Sequence, residues 1–123
     1  MKIITKEKAP QYERDSIRSF LLVAESTVGA KHITTSFVEM APGGVQKPHR
    51  HETEQCYMIL EGNGSMEVDD EKAPVGPGDT IFIPSNSLHG LINDGEITLK
   101  YFSAGSPVFG RESESELWPL NLK

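Results

Sequence analysis

Short apolar runs, each closed by Gly, Pro, Asn or Asp, recur along the chain. Residues 1–16 are polar, include Pro10, and read as a lead-in segment. Residues 17–23 read as a strand or a strand plus turn, and 28–30 as a turn or loop. Residues 32–40 are rich in β-branched and aromatic side chains, which predicts a strand, broken at Ala41-Pro42-Gly43-Gly44. The next strand carries several histidines and ends at Glu61-Gly62-Asn63-Gly64, where glycines permit positive φ and suit a tight hairpin. Residues 65–68 return as a short strand, with a turn at Asp69-Asp70-Glu71 and a Pro/Gly-rich turn over 74–79. Residues 80–83 form a strand stopped by Pro84, and 88–93 and 97–103 make a last hairpin across Asp94-Gly95. No helix longer than a turn or two is expected. Many short strands at regular spacing predict an all-β sandwich or small barrel.

Strand geometry gives the histidines their interest. Side chains alternate between faces, so positions two or four apart share one face. His49, His51 and Gln55 would then point the same way, with His89 supplied by another strand. Imidazole suits Zn, Cu, Fe and Ni, and an oxygen ligand widens the choice toward Mn. The expected cofactor is one divalent transition metal per chain, from among Mn, Fe, Ni, Co and Zn. Glu54 would face the other way and Glu52 would oppose His51, so neither replaces Gln55 without a bulge.

Composition narrows the alternatives. The chain has 123 residues, enough for one core but not two. A net charge of −6 argues against nucleic acid and anionic membrane surfaces as partners. It leaves a small-molecule substrate open, because that responds to the local field of a site. The single cysteine, Cys56, excludes an intrachain disulfide and reads as a core thiol pointing away from the metal. The N-terminus lacks the apolar run of a signal peptide, and no stretch approaches the roughly 20 apolar residues of a membrane span. A soluble cytoplasmic protein is the default expectation. There is no Ser-His-Asp set, no Walker-type glycine loop and no zinc-finger cysteine spacing.

The spacing of these residues resembles the cupin superfamily. Its first motif, G-x5-H-x-H-x3,4-E-x6-G, is matched at Gly43, His49, His51, Gln55 and Gly62. Its second, G-x5-P-x-G-x2-H-x3-N, is matched at Gly78, Pro84, Asn86, His89 and Asn93. The resemblance implies a single-domain cupin jelly-roll β-barrel (a double-stranded β-helix) over residues 1–123. It also implies one metal inside the barrel and often a homodimer. The motifs fill 43–62 and 78–93, and residues 104–123 form a C-terminal tail. In that tail Trp118 is expected to anchor on the barrel or a neighbouring subunit, beside a solvated Glu/Ser run.

Two positions depart from the pattern. Asn86 stands for a glycine, a mild change, since Asn tolerates the left-handed region better than most residues. Gln55 stands for a glutamate, which changes the chemistry. Three neutral imidazoles and an amide would leave a divalent ion its full +2, where a glutamate would leave +1. The ion would polarise bound oxygen more strongly, and a higher oxidation state would be less stabilised.

Pocket candidates are Gln46, Tyr57 and Lys100. Gln46 also fits a solvated loop, Tyr57 the core, and Lys100 the outer face between Leu99 and Tyr101. His32 fits no motif, Arg50 alternates outward, and Asn93 reads first as a turn residue. The leading expectation is an isomerase- or lyase-type enzyme using the metal as Lewis acid on a small polar or anionic, sugar-, uronate- or carboxylate-like substrate. Small sugar- and uronate-processing cupins are similar, although uronate-processing relatives carry a carboxylate on the strand occupied here by residues 97–103. The alternatives are an Fe- or Ni-dependent dioxygenase or oxalate-type decarboxylase, and a non-catalytic binding domain.

Overall fold

A computed structural model describes residues 1–109. The elements are β1 (Gln11–Arg14), β2 (Ile17–Leu21), a single helical turn α1 (Glu25–Val28), β3 (Thr34–Met40), β4 (Val45–His49), β5 (Glu54–Glu61), β6 (Gly64–Val68), β7 (Glu71–Val75), β8 (Thr80–Ile83), β9 (His89–Ile92) and β10 (Leu99–Ser106). A 3-10 turn, Lys6–Lys8, precedes them. They form two antiparallel sheets, one of six strands in the order β1-β2-β3-β10-β5-β8 and one of four in the order β4-β9-β6-β7. This is the expected all-β jelly roll. Between the sheets lies a core that includes Val38, Met40, Tyr57, Ile59, Met66, Ile83, Leu91, Leu99 and Tyr101.

Several local expectations are corrected. The lead-in segment contains β1, which pairs with β2 across Asp15-Ser16, with Asp15 at φ 53°. Gly62-Asn63 does not close a hairpin, because β5 and β6 lie in different sheets and the chain crosses between them there. A Cβ on Gly62 would sit 2.8 Å from both Leu99 Cα and Thr98 O, and its φ is +83°, so this crossing admits only glycine without strain. Residues 88–103 likewise cross sheets. Asn93 organises that crossing: fully buried, it donates through Nδ2 to the carbonyls of Met40 (2.8 Å) and Ile97 (2.9 Å), and its Oδ1 accepts from Gly95 N (3.0 Å). The turn role expected of Asn93 is thus exercised from inside the fold.

The inner face of the six-stranded sheet changes character along its strands. At one end Leu99 of β10 lies beside Met40 of β3. Two residues along, Tyr101 lies between Val38 and Ile59, and two further Ser103 lies between Ser36 and Tyr57. Gly105 then lies between Thr34 and Gln55. Large apolar side chains fill the first half, and small polar ones leave space in the second. The tail readings for Trp118 and the Glu/Ser run fall outside the described residues.

Candidate metal centre

His49, His51 and His89 meet at the polar end of this space. One ring nitrogen from each lies within 4.8 Å of the others. The ring centroids are 4.2 Å apart for His49–His89, 4.8 Å for His51–His89 and 5.4 Å for His49–His51. The convergence does not arise from alternation along one strand. His49 closes β4, His51 lies in the connection that follows, and Gln55 is the second residue of β5 in the opposite sheet. His49 and His89 are direct cross-strand partners, past an irregularity in β4 between Gln46 and His49. The turn after β8 holds the connection carrying His51. Asn86, at φ 63°, donates its backbone N–H to His51 O (2.8 Å), and Ser85 Oγ donates to Glu52 O (2.6 Å). The Asn that replaces glycine does adopt the left-handed conformation.

Each imidazole is oriented by the backbone. Nδ1 of His49 contacts Lys47 O (3.1 Å), Nδ1 of His51 contacts Thr53 O (2.8 Å), and Nδ1 of His89 contacts Ser87 O (2.9 Å). A carbonyl oxygen only accepts, so each Nδ1 carries hydrogen, and each neutral ring keeps its lone pair on Nε2. Carbonyl-bonded imidazoles of this kind are the usual arrangement around a protein-bound metal. His89 is fully buried, and its Nε2 has no hydrogen-bond partner.

Gln55 presents a second orphan. Its Nε2 donates to Ser103 Oγ (2.9 Å), while its Oε1 is buried without a partner. In this orientation the amide oxygen is the free end. Gly105 leaves room for this arrangement, since a Cβ there would lie 2.7 Å from Thr53 Cγ2 and 3.0 Å from Gln55 Cγ. Buried acceptors without donors are costly, and a cation is the natural partner for both atoms. The donor set therefore fits a divalent metal.

A cavity of about 100 Å³ adjoins the histidines and Gln55. Its walls include Tyr57, Tyr101, Val38 and Phe109, and its floor carries Ser19, Ser36 and Ser103. Gln46, which also fits a solvated loop from sequence alone, lies in β4 and lines the cavity. Its Nε2 donates to Tyr101 Oη (3.0 Å), and its Oε1 accepts from Tyr57 Oη at 3.4 Å. Tyr57 and Tyr101 stack with centroids 4.3 Å apart, and burial raises both phenol pKa values, so both hydroxyls keep their protons at neutral pH. The serine floor was not singled out from sequence. Its signal was three small polar residues at inward positions of otherwise apolar strands.

Lys100 is corrected as a pocket candidate. Leu99 and Tyr101 take the inward positions, and Lys100 Nζ lies 3.3 Å from Glu61 Oε2. Cys56 is half-buried rather than in the core, in a shallow outer depression with Phe82 and Ala104. His32, Arg50, Glu52 and Glu54 are all exposed.

Burial lowers the pKa of His51 and takes His89 from the ordinary 6.5 to about 4; for both, the carbonyl contact opposes the shift, and a neighbouring imidazole adds to it, His49 for His51 and both His49 and His51 for His89. Between those values the unfolded chain binds more protons than the folded one, so stability rises with pH. The metal-free protein is expected to keep this contribution above pH 7 and lose it as pH falls from 6.5 toward 4. Thermal melts in chelator at pH 7.5 and 5 test this, with His89→Gln expected to show a smaller drop. Equal drops in both proteins would contradict it.

The Cupin_2 family, described as a cupin domain, matches residues 36–105. The chain belongs to this family. The cupin is 43% identical over 65 residues to an uncharacterised protein of Methanocaldococcus jannaschii, covering 52% of each chain. It is 26% identical over 76 residues to the dimethylsulfoniopropionate lyase DddW of Ruegeria pomeroyi, covering 62% of this chain and 50% of that one. The chain thus spans about half the length of the curated relatives it matches. Among solved structures, a predicted oxalate decarboxylase of Thermotoga maritima superposes with a TM-score of 0.75 at 20% identity, covering 87% of this cupin and 100% of that chain. That likeness speaks to the fold. Among the described residues, no helix is long and apolar enough to cross a membrane.

Proposed function

We propose that this cupin is a metal-dependent enzyme in which His49, His51, His89 and Gln55 hold one divalent ion and a small oxygen-rich acid is the substrate. The observation that carries the reading is the pair of orphaned buried acceptors, His89 Nε2 and Gln55 Oε1, facing one cluster. When bound, the ion supplies Lewis-acid polarisation of a substrate oxygen. The side chains supply the rest. The three carbonyl-bonded rings and the serine-bonded amide are fixed before a ligand arrives, so little reorganisation is needed. Among the described residues the cavity walls bring no Asp, Glu, Lys or Arg, so there a carboxylate substrate would have its charge answered at the donor cluster. The protonated hydroxyls of Tyr57 and Tyr101 line the chamber, and the Tyr57 proton is held by Gln46 Oε1. The similarity to a lyase whose name specifies a propionate substrate supports a carboxylate. So does the chamber volume of about 100 Å³, which suits a group of a few heavy atoms.

Elemental analysis of untagged protein, purified without added metal, tests the reading. About one transition metal per chain is expected. The cobalt-loaded protein should then change its visible absorption on addition of lactate or oxalate. Failure to take up any of Mn, Fe, Co, Ni or Zn after reloading would remove the reading.

A further inference from the structure

A second, larger depression of about 350 Å³ opens beside the histidine chamber, between the β1–β2 hairpin and β4. It is lined by Tyr12, Arg14, Asp15 and Lys47, and it shares Ser19, Gln46 and His49 with the chamber. The two spaces are neighbours along β4, with Ser19, Gln46 and His49 common to their linings. Among the described residues the chamber brings no carboxylate or permanent cation to its walls, whereas the groove carries two cations and one anion. The Arg14 guanidinium lies 5.3 Å from the Tyr12 ring centroid, which positions it along the groove wall. Neither Arg14 nor Lys47 is in any ion pair among the described residues. With Asp15 counted, the groove keeps a net positive charge in a chain of net charge −6.

The geometry points to a substrate with two ends: an oxygen-bearing head small enough for the chamber, and an anionic tail received by Arg14 and Lys47. The substrate class is an elongated acid with negative charge at both ends, such as a dicarboxylate or a phosphorylated acid. This rests on the metal site proposed above for the head and on the groove alone for the tail. Arg14 and Lys47 act as specificity residues, drawing in dianions and setting their direction. The effect weakens as salt rises, because both cations are exposed.

Calorimetric titration of zinc-loaded protein with adipate and with hexanoate at low ionic strength tests the tail site. Adipate is expected to bind about tenfold tighter. In the Arg14→Gln/Lys47→Gln double variant the two acids should bind alike, with zinc content and hexanoate affinity unchanged. Equal binding by the wild type, or a preference that survives in the variant, would overturn the inference. Should the protein take up no zinc, the metal reading fails by itself, and the groove is judged on metal-free protein. Inorganic phosphate should then shift the backbone amide resonances of residues 14–19 and 45–47 in the wild type and not in the double variant. No shift at those amides would overturn the groove.

Discussion

His89→Ala is expected to leave the purified protein with less than about a tenth of the metal carried by the wild type, through an affinity loss of about a hundredfold or more. Substitutions that only touch a ligand's outer hydrogen bonds already cost metal sites about 10- to 100-fold. His89 lies closer to the core than the others: its ring is fully buried, and its centroid is 4.2 Å from that of His49 and 4.8 Å from that of His51. Without it, two rings and an amide remain. His51→Ala should act in the same direction, and His32→Ala, at an exposed position, serves as the control. Metal per chain by elemental analysis, beside far-ultraviolet circular dichroism to establish folding, gives the readout. Full occupancy in folded His89→Ala and His51→Ala proteins would end the site assignment.

Gln55→Glu should hold metal more tightly and bind anionic acids more weakly, by about tenfold, because the charge at the cluster falls from +2 to +1. The geometry tolerates the change. Ser103 Oγ now accepts from the amide nitrogen at 2.9 Å, and by rotating its hydroxyl it can donate to a carboxylate instead. The substituted side chain therefore keeps its place, and charge is the main variable. Any reaction that depends on a metal-bound water losing its proton should move to higher pH, since a less positive centre acidifies water less. Chelator competition for zinc, and the affinity for oxalate as a function of pH, would record both effects. A variant indistinguishable from wild type in both would remove Gln55 from the cluster.

The candidate donor residues stand out in the sequence because their spacing is local: His-x-His, a glutamine shortly after, and a histidine placed by Gly78 and Pro84. The route by which they meet was not. Periodicity two treats residues 49–55 as one strand, whereas the chain leaves one sheet after His49 and enters the other at Glu54. The same blindness turned two sheet crossings, at Gly62-Asn63 and at Asp94-Gly95, into hairpins. Turn chemistry reports that the chain bends and is silent on which strand it then joins. Leu99 and Tyr101 correctly announced the inward face of β10, and that left Lys100 outside. Gln46 was ambiguous because its partners, Tyr57 and Tyr101, are 11 and 55 residues away in sequence. Ser19, Ser36 and Ser103 came from three strands whose alignment only the sheet reveals.

The crossing between His49 and Gln55 has a consequence for how the cluster comes into being. A peptide covering residues 43–62 contains three of the four donor side chains, yet it cannot reproduce their arrangement, because that arrangement requires two sheets closed against each other. The Asn86 contact to His51 O and the position of His89 come from a segment more than 30 residues later. Loop closures of that length precede the donor geometry during folding. The cluster thus matures late, after translation has delivered β9, and ion uptake by it would report on completion of the barrel.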